Sequence, residues 1–407
     1  MSLKARVMAH QTISGITGGM FLAVQGLFFL EKGAEPWQLG LLLGAAVVST
    51  TVFELPFGAL ADIYGRIKVF KLARTVFLLA TIVAIFATSF WHLMLGMALF
   101  GLAEALKTGA IDAWAVEQIN ARGEKDKLQS YLSIFDSSLM TGLTIGAIGG
   151  GYIPELLPKL EGFPPSAWNL IIMCGLIVLH LLATPYLFKE GEEVSGKTEK
   201  RDMFGQIKSG LQFSKNNRTV RDLLLVGAMI GLGIISVESY WQARLTSIIG
   251  EPTYSLLGWI TAGYFMAGIF GPILITAVAN RFNASARLQL LVMPIVSGIA
   301  LLVLATQTTV APFVVAYMAI MLFISMFYSP MATLLNNETS DDLRSTMQSM
   351  SSLSIRGGAA ISALGFAALV KVWGIQSVWQ FVAGITLIIG ILRIVQALRG
   401  SPEIEQG

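Results

Sequence analysis

Residues 58–70 read GALADIYGRIKVF. They close one long apolar run, set Asp62, Arg66 and Lys68 between and beyond the glycines Gly58 and Gly65, and open at once into another apolar run. A compact charged knot between two stretches of bilayer-crossing length reads as a short loop at a membrane surface.

The composition supports that reading. Of 407 residues, 54% are hydrophobic and 13% charged, with a mean hydropathy of +0.68. Soluble domains carry roughly 25% charged residues, so this balance belongs to an integral membrane protein. A net charge of +3, scattered along the chain, gives no nucleic-acid footprint. The single cysteine, Cys174, lies in an apolar run and reads as a small core hydrophobe, with no disulfide possible within one chain. The basic start MSLKARVMAH runs into a full-length apolar stretch without a small-residue cleavage site, so an uncleaved first helix is expected.

Apolar runs of spanning length fall at 9–30, 37–61, 70–90, 91–119, 129–154 and 167–188, then at 221–243, 255–279, 288–306, 311–337, 347–373 and 378–398. With the N-terminus inside, 21 of the 28 lysines and arginines fall on the inner side. Only Lys32, Lys159, Arg244 and Lys371 fall on the outer side, and Arg74, Lys107 and Arg356 lie within spans. This positive-inside bias places both termini in the cytoplasm. The expected organisation is a six-helix bundle over 1–188, a cytoplasmic linker over 189–220 and a second six-helix bundle over 221–407. Met203, Phe204, Ile207 and Leu211 fall on one side of a helix in the linker, a pattern for an amphipathic helix on the inner surface. The linker also matches G-x-x-x-x-G-K-T from Gly191 to Thr198. Phosphate binding there needs a preceding strand, and Glu192 and Glu193 would repel phosphate, so no nucleotide and no other cofactor is expected.

Adding 218 to the numbering superimposes the halves, and the knot then recurs as TAVANRFN, residues 276–283. Ala59 meets Ala277, Leu60 meets Val278, Ala61 meets Ala279, Asp62 meets Asn280 and Tyr64 meets Phe282. Two six-helix bundles in parallel repeat are an architecture of secondary transporters. The Gly58–Arg66 stretch resembles the signature loop of the major facilitator superfamily. FELPFG (53–58), GLAEALKTGAIDAW (101–114), YWQ (240–242) and LRSTMQSMSSLSIRGG (343–358) resemble its bacterial multidrug and macrolide efflux branch. The resemblance implies an all-α fold of twelve transmembrane helices in two pseudo-symmetric bundles (6+6), set in the bacterial inner membrane. It also implies that Asp62 caps the eleventh helix, latching the halves on the cytoplasmic side. Arg66 then needs an acid at its depth, and Glu117 or Asp112 qualifies; the alternative is that the loop is only a positive-inside anchor. Gly58 and Gly65 are expected to allow close helix approach and a tight turn. Two features depart from proton-driven exporters of that superfamily. Met97 stands four residues before Gly101, where they often carry arginine, and Ala147 replaces a proline in the fifth-span motif built on Gly142, Gly146 and Gly150.

Ionisable groups inside spans are costly and therefore candidate functional groups. At about 1.5 Å per residue, Glu54, Arg74, Asp112, Asp136 and Arg356 lie at roughly one depth, about 6–14 Å above the inner boundary. They form either a gating network or a static structural cluster. Glu104 lies near mid-bilayer on the fourth span and is a proton-coupling candidate, with Lys107 its alternative fixed partner. Glu238 and Asp136 are further proton candidates. Tyr240 and Trp241 could wall a site for a flat or cationic substrate, or belong to an interfacial belt. Gln25, Tyr264, Gln11, Gln242 and His180 are polar groups that could line a cavity, His180 equally a packing histidine. Neither a nucleophile–base constellation nor metal-ligand spacing occurs, so an enzyme is not expected. The leading reading is a monomeric, proton-coupled antiporter exporting amphipathic or cationic small molecules by alternating access. A carrier for one metabolite (siderophore, peptide or lipid) is the alternative, and a gradient-independent scramblase or membrane sensor is the alternative of another class.

Overall fold

The computed structural model of the chain describes residues 2–108, 110–188, 212–251 and 253–399. The segment 189–211, with the phosphate-loop-like match and the amphipathic stretch, lies outside the described residues. Among the described residues every regular element is a helix.

The first span is Leu3–Leu22 followed by Gln25–Glu31, bent by 44°. The next five are Gln38–Tyr64, Arg66–Ile85, Phe90–Lys107 with Ile111–Ala121, Leu128–Leu156 and Ala167–Leu187. The seventh to ninth are Arg218–Ile249, Tyr254–Phe282 and Ala286–Thr306, and the tenth is Val310–Ser325 with Tyr328–Glu338. The eleventh begins as Asp341–Ala360 and runs through the π-turn Ile361–Gly365 into Phe366–Arg399. That last helix breaks at Gly374 (φ 79°, ψ 164°), which separates the eleventh span from the twelfth. Among the described residues eight helices, and the bent first pair as a ninth, are long and apolar enough to cross a membrane. The third span carries Arg66, Lys68, Lys71 and Arg74 in its first half. The eleventh and twelfth are one continuous apolar stretch apart from the Gly374 break.

Local chemistry sets several boundaries. Ser2 and Ser285 cap the first and ninth spans, each side chain accepting a backbone N–H at 3.3 Å. Gly65 ends the second span and starts the third at φ 95°, ψ 138°, a conformation essentially confined to glycine. The matching position under the 218-residue repeat, Asn283, is the one described non-glycine residue at positive φ, 49°. Asparagine is among the few side chains that tolerate that region. Gly58 departs from expectation. Nothing stands within 4 Å of where its Cβ would sit, so it marks no close helix contact.

By contacts the chain forms two compact units: Met1–Arg201 with Gly250–Met266, and Asp202–Ile249 with Ala267–Gly407. In the first, the fifth span packs along the first through Gly142, Gly146 and Gly150. A Cβ on each would meet the carbonyl oxygens of Thr12, Ile16 and Met20 at 2.3, 2.2 and 2.7 Å. In membranes such backbone contact replaces the hydrophobic driving force that lipid tails remove. Below it lies a core of Val7, Ile67, Phe70, Trp114, Phe135 and Phe188. In the second unit the seventh and eleventh spans meet the same way. A Cβ on Gly231 or Gly358 would lie 1.8 Å from the carbonyl of Ile355 or Ala228.

Candidate functional site

A seam of polar contacts joins the first, third, fourth and sixth spans of the first unit. At its base Arg66 grips Glu117: Nε and Nη2 donate to one carboxylate oxygen at 2.9 and 2.6 Å. Of the two acids at its depth, Glu117 is therefore the partner. Asp112 instead accepts a hydrogen bond from the Gln11 amide at 2.8 Å. The Asp62 side chain lies outside the described residues.

Arg74 comes next, 4% exposed. Its Nη2 donates to the Ser14 hydroxyl and its guanidinium lies 5.3 Å from the Phe70 ring centre. Its Nε is buried without a hydrogen-bond partner. The same-depth reading of Arg74 with Glu54, Asp112 and Asp136 as one ion-pair network is corrected here for Arg74 and Asp112, whose hydrogen-bond partners are neutral. Rise per residue fixes depth along a helix but not the direction a side chain takes around it. Asp136 is exposed, and Glu54 and Arg356 are half-buried in the first and second unit respectively.

Beside Arg74 lies a pair that the sequence did not bring together. His10 Nδ1 and His180 Nε2 share a hydrogen bond at 3.0 Å, with the residues 2% and 1% exposed. Phe70 and Phe188 pack edge-on against His10 at 5.0 and 5.3 Å. His180 is thus a packing histidine. The sequence leaves the facing of both rings open, so nothing in it pairs them.

Glu104 and Lys107 meet where the fourth span breaks. The helix stops at Lys107 and resumes at Ile111. Lys107 Nζ donates to both Glu104 oxygens, at 2.8 and 3.1 Å. The two side chains are 31% and 33% exposed, so the pair is not sealed inside the protein. A cation three residues on is well placed for pairing on one helix face.

The candidate substrate wall does not form as expected. Tyr240 is 1% and Trp241 5% exposed, and Trp241 packs on Tyr317 with ring centres 4.8 Å apart. Both belong to the packed interior of the second unit, because hydropathy alone does not tell a cavity-facing aromatic from a core one. Gln25 is likewise buried, its amide 3.9 Å from the Met97 sulfur. Tyr264 is half-buried beside Phe265. Glu238 is half-buried on the seventh span.

Sequence reasoning missed a second polar cluster, at the charge-poor end of the first unit. Glu31 accepts the hydroxyls of Ser166 and Tyr254. Glu155 accepts the Ser255 backbone N–H at 2.8 Å. These acids sit at helix ends and look like ordinary loop punctuation in the sequence.

Twelve helical spans in a duplicated topology, with ionisable side chains held inside them, define a polytopic membrane transporter. The comparisons with known proteins make the class specific. The sequence profile of the Major Facilitator Superfamily matches residues 8–250 and 243–406. The chain belongs to that superfamily, a family of transporters rather than enzymes. It is 22% identical over 391 residues to an uncharacterized MFS-type transporter of Methanocaldococcus jannaschii, covering 95% of each chain. It is 24% identical to a D-xylose transporter of Levilactobacillus brevis over 65% of this chain and 60% of the relative. A class B tetracycline resistance protein of Escherichia coli is 23% identical over 55% of this chain and 60% of the relative. In fold, the crystal structure of the nucleoside transporter NupG superimposes with a TM-score of 0.78 at 15% identity, covering 97% of this chain and 99% of that one.

Proposed function

We propose that this superfamily transporter is a proton-coupled antiporter that exports amphipathic or cationic small molecules by alternating access, as a monomer in the bacterial inner (cytoplasmic) membrane with both termini inside. The observation that carries the reading is the half-exposed Glu104–Lys107 pair at the break of the fourth span. A carboxylate there must be compensated by one positive charge at a time. A proton on Glu104 releases Lys107, and a cationic substrate that takes Lys107's place excludes the proton. Mutual exclusion at one carboxylate is the thermodynamic core of exchange. Glu238 and Asp136 stand as secondary proton sites. The Arg66–Glu117 pair fixes the loop carrying Asp62, as the inner gate, with Glu54 and Arg356 as its further charges.

The tetracycline resistance relative supports export of a drug-like compound. The xylose transporter, at similar identity, supports the second reading, a carrier for one metabolite.

The test uses proteoliposomes under an imposed pH gradient, with lumenal pH followed as lipophilic cations and neutral amphiphiles are added. Compound-triggered proton movement in the wild type, lost in Glu104→Gln, is expected. Movement retained in the variant would transfer the proton site to Glu238 or Asp136. No proton movement with any compound, beside saturable uptake of one metabolite (a siderophore, a peptide or a lipid), would establish the second reading.

A further inference from the structure

A separate constellation occupies the opposite end of the first unit. Four elements meet there: the end of the first span at Glu31, the end of the fifth at Glu155, the start of the sixth at Ser166 and the start of the eighth at Tyr254. The fifth and eighth spans cross at Gly151 and Gly258, where a Cβ on either would lie 2.8 Å from the other's Cα. Trp259 Nε1 donates to the Tyr152 hydroxyl at 3.2 Å just beside the crossing. Glu155 receives the Ser255 N–H at the eighth span's N-terminus, where the helix dipole favours an acid.

Glu31 is the unusual member. It ends the helix Gln25–Glu31, where the dipole disfavours a carboxylate. Its hydrogen-bond partners are all neutral: Ser166, fully buried, donates its hydroxyl to Oε2 and also gives its backbone N–H, and Tyr254, 8% exposed, donates to Oε1. The neighbouring charges are committed elsewhere. Lys32 donates to the Ile85 carbonyl at 2.6 Å and lies 5.3 Å from the Phe163 ring centre. Glu155 holds Ser255, and Glu35 accepts from the Trp37 indole at 2.9 Å. Lys159 and Glu161 in the loop before Ser166, and Glu251 before the eighth span, are exposed. Glu104 and Glu117, by contrast, each hold a cation.

We infer that Glu31 is a proton-binding site which, when ionised, clamps the eighth span to the first and sixth at the outer end, and which releases that clamp when it takes up a proton. Hydrogen-bond polarity carries the sign. An ionised carboxylate accepts both hydroxyl protons, one on each oxygen. Protonation turns one oxygen into a donor, so either Ser166 or Tyr254 faces an O–H where it had an acceptor. A buried hydroxyl left without its acceptor costs more than the hydrogen bond gains. Relief comes when Tyr254 moves away, and Tyr254 carries the eighth span with it. Acidifying the outer side therefore loosens this crossing. The inference stands whatever the substrate and does not rest on Glu104 being a proton site; from the proposed function it takes only the orientation that makes this end the outer one.

The experiment cross-links the crossing in the full-length protein in liposomes. Tyr152→Cys and Trp259→Cys are placed together in a Cys174→Ser background and joined with a short bifunctional thiol reagent. Cross-linking is expected to fall by about fivefold as outer pH is lowered from near 8 to near 5, the equilibrium shift of losing one net hydrogen bond. Glu31→Gln in that background is expected to give the low yield at both pH values. Tyr254→Phe, which keeps the ring and removes the donor, should do the same and controls for misfolding of the first variant. A pH-independent yield in the parent, or an unchanged pH response in either variant, would overturn the inference. Because the readout is geometric, loss of compound-triggered proton movement leaves it intact, and its own failure leaves the antiport reading intact.

Discussion

Gly65 and Asn283 carry the repeat in its smallest form. Both turn the chain between spans at positive φ, yet only Gly65, at ψ 138°, holds a backbone that side chains scarcely reach. Gly65→Ala should therefore destabilise the protein by about 1–3 kcal/mol. Asn283→Gly should change stability by less than about 0.5 kcal/mol. Thermal unfolding of the purified variants in one detergent compares the two. At the same scale, Arg66 and Glu117 are partly exposed, with side chains 17% and 33% accessible, so their pair is a weak stabiliser. Glu117→Gln should cost less than about 1 kcal/mol in unfolding while lowering transport far more, because the pair positions a loop rather than holding a core. The sequence made Arg66 and its need for an acid legible, since charge in a short loop is visible without coordinates. It did not make Glu31 legible. An acid at the end of a span is unremarkable until the hydroxyls of residues 166 and 254 are seen on it.

Among whole helices, the clearest lesson comes from the fifth span. Small residues at Gly142, Gly146 and Gly150 are four apart, so one face is smooth, and the first span lies along that face in backbone contact. Gly149 is one residue away and has open space where a Cβ would go. Gly146→Leu should cost about 1–3 kcal/mol through overpacking against Ile16, and Gly149→Leu close to nothing. A shift in unfolding temperature for Gly149→Leu equal to that of Gly146→Leu would show that helix propensity rather than interhelical contact sets the requirement. Spacing made this face readable because a stripe of glycines has one geometric use. Tyr240 and Trp241 were not readable in the same way. Aromatic residues near a span end suit a cavity wall, an interfacial belt and a packed core alike. Burial against Tyr317 decided it. Helix breaks were intermediate: the bend after Leu22 and the interruption between Lys107 and Ile111 lie inside stretches that hydropathy treats as uniform.

For the molecule as a whole, the two-ended arrangement of acids makes a prediction that neither end makes alone. Glu117, at the charge-rich end, steadies the inner loop, and Glu31, at the other end, holds the eighth span. In an alternating-access cycle the open states are alternatives drawn from one population, so weakening one end shifts that population toward opening there. Glu31→Gln should favour outer opening and Glu117→Gln inner opening, each by about fivefold if one net hydrogen bond is lost. Two distant substitutions add in free energy, so in the double variant the opposing shifts should largely cancel. Labelling of one cysteine at each mouth reads both populations in the same preparation. Opposite single-variant shifts and a double variant near the wild-type ratio would mean that the ends compete for one equilibrium. Simultaneous labelling at both mouths in the double variant, with downhill leak of solute, would mean that the ends open independently, as in a channel. Exchange at Glu104 requires the first outcome, because one compensating charge per cycle has meaning only if the site never faces both sides at once.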